Sequence, residues 1–416
     1  MNENILISNK YTAVLSILIL SLFIQFRFEV ANFILRPFDV LTVLFFIYTY
    51  ATKNNKQDQK LSVGFFYLIP FFFIHFTSAL AISGQNFFKE FFQIILLTLF
   101  AFVLSHSVNK INYKKQIIYL LQGSLCIMTF VIFWHLYNGY IVAWKQLPDS
   151  RIIFTIISIL IFASLNLYEK KVKNLTILLF IFLLLVLSSG ERKALGIFLF
   201  LLSMHYSNGK ILKIIFTSFA GIFFIAILVY FSKNSYLQTQ FSSLLNLFDS
   251  SNIDYALSTG MLSEKDTFSG LQRAFVFNIS KIYFLENPIF GIGTNNFVNL
   301  LLDDYYNYPK IFKAGIHNEF QRVLVENGLL GLFFYLLIWF KSWIRTKNIT
   351  NIALENGLMN KLQYTLCTYS IYLTLLIYVG TEASSLRSFV ILIIISLLPD
   401  YLKYHFSINP KNIKLN

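Results

Sequence analysis

Cysteine is nearly absent: there are two, Cys126 and Cys367, in 416 residues. Both fall inside apolar runs, far apart, with no C-x-x-C spacing to hold a metal. They read as small buried hydrophobes. Charge is scarce as well, at 13% of residues against 56% hydrophobic, with a mean hydropathy of +0.63. A soluble chain of this length could not hide that much apolar surface. H-E-x-x-H, G-x-S-x-G and the P-loop are all missing, which sets aside zinc proteases, α/β-hydrolases and P-loop nucleotide enzymes. No cluster of His, Cys and acidic residues has metal-ligand spacing. Low-complexity tracts, a clear internal repeat and a small-residue cleavage site after the first apolar run are missing too, so that run reads as a retained span.

What is present is a series of apolar stretches near span length. They fall at 11–28, 33–51, 61–82, 87–108, 117–138, 151–168, 175–189, 194–206, 211–231, 328–343, 364–380 and 386–402. Long Leu/Ile/Phe runs of this kind indicate helices, because a helix satisfies its own backbone in hydrocarbon. A β-barrel would show short alternating segments instead. The expected fold is therefore all-α: a polytopic membrane protein of about 12 transmembrane helices. Its parts are a membrane bundle over 1–231, a loop domain over 232–327, and three further spans with a tail over 328–416.

The net charge of +14 does not point to nucleic acid, because the cations are spread thinly through short loops. With the N-terminus inside, more than half of the 34 Lys and Arg residues fall on cytoplasmic segments. That bias predicts both termini in the cytoplasm and 232–327 outside. A loop of that length is usually functional or disordered. Apolar and aromatic residues at helical spacing, as in LQRAFVFNISKIYFL at 271–285, predict a small helical cap.

Several stretches carry chemistry. In AGIHNEFQRVLVENGLLGLFFYLLIWF, 314–340, Asn318 is a good N-cap with Gln321 three residues on. His317 then stands just before a helix, where free N–H groups favour anions and a neutral imidazole. That suits a general base beside a phosphate-bearing substrate; a loop histidine that merely packs is the plainer reading. His75, His106, His135, His205 and His405 read as core or interfacial residues. In LSSGERKALG, 187–196, Arg192 and Lys193 stand on the side where cations are disfavoured. They either recognise phosphate or snorkel and pair with Glu191. Arg273 precedes NPIFGIGTNNF, 287–297, whose Gly291 and Gly293 suggest a tight turn against another backbone or a ligand. DDYYNYP, 303–309, fits a sugar-stacking surface or an ordinary turn. Arg36 and Asp39 in LRPFDVLTVL can pair at i, i+3, and Glu382 and Arg387 flank the last outer turn.

In this order, LRPFDVLTVL, SSGERKALG, SGLQRAFVFN…ENPIFGIGTNNF and AGIHNEFQRVLVENGLLGLFFYL resemble the O-antigen polymerase and ligase family of bacterial envelope glycosyltransferases. The agreement runs over roughly 180–340. Glu191 stands where serine often precedes the family arginine, and Phe277 where tryptophan is common. The resemblance implies an inner-membrane enzyme, without metal or cofactor, that moves a glycan from an undecaprenyl pyrophosphate carrier at the outer face. By motif match Arg192 and Arg273 would hold the pyrophosphate, and His317 would take the proton of the attacking hydroxyl. Asn318, Glu319, Gly291 and Gly293 would line the substrate. The implied partners are the lipid-linked oligosaccharide as donor and acceptor, the bilayer, a chain-length regulator and a flippase. A repeat-unit polymerase is the first expectation and a ligase to lipid A core the second. A flippase or transporter is a third, although such folds tend to carry repeats and broken helices.

Overall fold

The computed structural model describes residues 3–21, 28–30, 33–51, 61–80, 85–108, 111, 115–124, 126–127, 196–201, 203, 267–304, 315–381 and 385–406. Their elements run α1 (Glu3–Ser21), β1 (Phe28–Val30), β2 (Phe33–Leu35), α2 (Pro37–Ala51), α3 (Val63–Ala79) and α4 (Gln85–Ser107). After these come α5 (Thr267–Glu286), α6 (Phe297–Asp304), α7 (Glu319–Glu355), α8 (Lys361–Thr365), a π-helical turn (Leu366–Ser370), α9 (Ile371–Thr381) and α10 (Ser385–His405). The expectation of a helical fold holds, with one addition. An antiparallel hairpin pairs Phe28 with Leu35 and Val30 with Phe33, just where the second span was expected to begin.

Helix starts follow local chemistry. Pro37 occupies the first position of α2, where its missing N–H costs nothing. Asp39 reaches back to accept from the Arg36 N–H at 2.8 Å; the expected i, i+3 pairing is thus made to the Arg36 backbone. Ser62 caps α3, its hydroxyl accepting from the Phe65 N–H.

Among the described residues, Phe87–Ser107 and Glu319–Glu355 are long and apolar enough to cross a membrane. The bundle's core is aliphatic and aromatic, with Leu15, Leu68, Phe71, Phe100, Tyr335 and Ile393 among its buried members. The outer surfaces are apolar too. Leu329, Phe333, Leu336 and Phe340 form an exposed stripe along α7, and Phe66, Ile69 and Phe73 another along α3. Water would penalise such stripes, whereas lipid does not. At the far end of the bundle Arg345 pairs with Asp400 at 2.6 Å, and Asp400 also accepts from the Gly64 N–H.

The count of about 12 spans goes beyond what the described residues reach. The expected spans at 151–168, 175–189 and 211–231 lie outside them, as do most of 117–138, part of 194–206, Arg192, and loop residues 232–266. The expected span at 328–343 is part of a longer element, since α7 starts nine residues earlier and continues to Glu355. Cys367 is buried as expected, but Cys126 is exposed.

Candidate active site at the start of α7

Asn318 is the N-cap of α7. Its backbone is extended (φ −112°, ψ 122°) and its side chain accepts from the Gln321 N–H at 3.2 Å. One residue earlier, half-buried His317 is held from both sides. Ile316 is sunk into a small core with Phe275, Val276, Ile279, Tyr283, Ile292, Phe297, Leu301 and Val325. Glu319, on the other side, is fully buried. His317 thus sits between an apolar anchor and a polar one, at the open end of a helix whose free N–H groups favour an anion.

The polar anchor is Arg322. Its Nε donates to Glu319 at 3.0 Å, and a terminal nitrogen takes the other carboxylate oxygen. The remaining nitrogen donates to Glu326 at 2.8 Å and to the Asn295 side-chain oxygen at 3.4 Å. Asn295 passes the chain on, its amide donating to Glu90 of α4 at 2.5 Å. Arg322 also lies over the Phe389 ring of α10, 5.2 Å from its centroid. Two buried carboxyl groups therefore meet one buried guanidinium, and a third, Glu90, is linked to it through Asn295. Such a group is costly to bury and worse to break, because removing one partner strands the others. Glu319 was expected at the substrate. Its carboxylate instead turns inward to Arg322, because two parallel N–H donors match its two oxygens.

A second network lies beside the first. Thr294 Oγ1 sits 3.0 Å from His75 Nδ1 of α3, and the Asn327 amide donates to Thr294 at 2.8 Å. His75 is a buried core residue, as expected, and is held in this polar lattice between elements. His106 is buried as expected, while His135 and His205 lie outside the described residues.

Between these networks α7 breaks at Gly328, whose backbone (φ 69°, ψ −171°) is not helical. A break leaves backbone groups unpaired, and the turn after α5 pairs them. The Ile292 and Gly293 N–H groups donate to the Val325 and Glu326 carbonyls, each at 3.0 Å. The Leu329 and Leu330 N–H groups donate to the Pro288 and Ile289 carbonyls at 2.8 and 3.3 Å. The two backbones approach so closely that a Cβ at Gly291 would overlap residue 326, and one at Gly328 would overlap the Ile289 carbonyl. Of the two readings of Gly291 and Gly293, a backbone or a ligand, the close backbone approach is made. The Gly291 N–H goes to Asn287 and that of Gly293 to Glu326, so neither amide is left for a ligand.

Arg273 lies on α5, one turn before Val276, whose side chain shares the core that anchors Ile316. The structure thus brings the Arg273 helix and the His317 segment onto one small core; Arg192 lies outside the described residues. Sequence reasoning missed Arg322, Glu326, Asn295, Glu90, Thr294, Asn327 and the role of His75. The spacing Glu319–Arg322–Glu326 was the available signal, because i, i+3 and i, i+4 residues meet on a helix.

No curated protein matches the chain. A family model described as O-antigen ligase matches residues 174–336. That span takes in α5, the glycine turn, the His317 segment and the start of α7. That match is consistent with the O-antigen polymerase and ligase family.

Proposed function

We propose that this protein is a polymerase of the bacterial inner membrane. It joins oligosaccharide repeat units carried on undecaprenyl pyrophosphate into an O-antigen or capsule-like polysaccharide at the outer face. The observation that carries the reading is the placement of His317 within the family-matched segment. It stands at a capped helix start, pinned between buried Ile316 and buried Glu319. In the reaction, a hydroxyl of the acceptor sugar attacks the anomeric carbon of the donor. The bond to the pyrophosphate oxygen breaks and the proton passes to His317. Arg273 and Arg192 hold the departing pyrophosphate. Charge placed in advance for a developing anion is commonly worth about 3–4 kcal/mol per donor. No metal enters the scheme. Both termini lie in the cytoplasm, about 12 helices span the bilayer, and 232–327 forms the outer domain. A chain-length regulator and a flippase are the partners such a polymerase needs.

The O-antigen ligase description of the matched family favours a second reading, in which finished polymer is handed to lipid A core. One gel separates them. Surface polysaccharide from a strain lacking the protein is run alongside its lipid-linked glycan. Core bearing a single repeat unit supports the polymerase. Bare core with long polymer left on the carrier makes the protein a ligase, and an unchanged ladder removes both. The His317→Ala variant, inserted and expressed normally, should reproduce the null pattern; normal product from it would remove His317 as the base.

A further inference from the structure

Large apolar side chains stand exposed on one part of the loop unit. Phe277, Ile282 and Leu285 project from α5, and Ile289 and Phe290 from the tip of the glycine turn; Leu285 is 64% exposed and Phe290 61%. Their height relative to the bundle is fixed by hydrogen bonds. Leu329 and Leu330, the first residues of α7 beyond the break, donate to the Pro288 and Ile289 carbonyls. The Ser78 hydroxyl, in the last turn of α3, donates to the Phe290 carbonyl at 3.3 Å. The tip therefore lies level with the ends of two apolar helices. Exposed Leu80, Leu329 and Phe333 stand on those helix ends, so the apolar surface of the bundle runs on into the loop.

Charge decides what covers this surface. Lys281, Asn278 and Glu286 are exposed on the same side of α5, interleaved with Phe277, Ile282 and Leu285. The core of a protein interface is depleted of charged residues. A helix lying at the lipid headgroups tolerates them, because its apolar residues sink toward the acyl chains while lysine reaches back to the phosphates. We infer that the exposed side of α5 and the 288–290 tip are seated in the bilayer leaflet on the loop's side, at headgroup depth. The loop unit is then a half-immersed float. The inference rests on the reading of α3 and α7 as spans, not on glycosyl transfer. Where that transfer also holds, the float sets the Arg273 helix and His317 at the height of a carrier's pyrophosphate.

Spin labels test the seat without turnover. With Cys126→Ser and Cys367→Ala as background, Leu285→Cys and Phe290→Cys are labelled one at a time. The protein is reconstituted in phosphatidylethanolamine–phosphatidylglycerol vesicles. Phe333→Cys serves as the lipid reference and Asn356→Cys as the aqueous one. Relaxation by dioxygen should exceed relaxation by a water-soluble nickel chelate several-fold at 285 and 290, as at 333. The reverse order, as at 356, would put the surface in water and overturn the inference. Immobilised labels that neither reagent reaches would overturn it too, by showing a protein cover such as a second copy.

Discussion

At the residue scale the site rests on Arg322. Its two bonds to Glu319 use the side-on fork of a guanidinium, which an ammonium cannot reproduce. Arg322→Lys keeps the charge and loses the geometry, and Glu319 stands two residues from His317. A displacement of about 1 Å remote from the chemistry can cost on the order of 10²-fold in rate. We expect Arg322→Lys to lower the transfer rate by about that factor, with a much smaller change in donor KM, when single turnovers are followed in proteoliposomes. A wild-type rate would reduce Arg322 to a source of charge. Arg322→Ala is a harsher change: it strands buried carboxyl groups and should cost about 3–5 kcal/mol of stability, visible as early unfolding in detergent. The sequence made His317 and Asn318 legible because capping is local chemistry. It did not disclose where Glu319 points, because that depends on Arg322 being buried by α10 and on Asn295 reaching Arg322 from 27 residues upstream.

At the element scale the decisive feature is the broken helix. The sequence reading placed a span start at Gly328 by hydropathy, and the structure breaks α7 at the same residue by conformation. Hydropathy showed the boundary and the Asn318 cap showed the helix before it, but neither showed that the two run on as one element through a left-handed glycine. The hairpin at 28–35 was invisible for a related reason: its Phe, Val, Ile and Leu residues merge with the apolar runs on either side. Gly328 combines positive φ with a backbone neighbour where its Cβ would be. Left-handed strain alone costs about 1–3 kcal/mol, and the overlap adds to it. Gly328→Ala should therefore unfold earlier in detergent and lose transfer, while Gly196→Ala, with nothing near its Cβ, should change neither. Equal stability of the two variants would mean that the break can relax.

At the scale of the whole molecule, composition alone announced a helical membrane protein, and the apolar stripes on α3 and α7 agree with it. The sidedness comes from the placement of Lys and Arg, and fusions check it. Alkaline phosphatase joined after Glu326 should be active, since it would be exported. Joined after Leu358, in the turn beyond α7, it should be inactive. The reverse pattern would put His317 in the cytoplasm and dismiss the proposed chemistry. What the sequence could not supply was the stitching of the loop unit onto the bundle, because hydrogen bonds between distant backbones leave no periodic trace. That stitching limits motion. The turn after α5 supplies bonds that α7 needs on either side of its break, so the loop unit has no hinge at that seam. It cannot lift without unwinding the helix beneath it. Whatever moves α7 at this level must carry the turn with it.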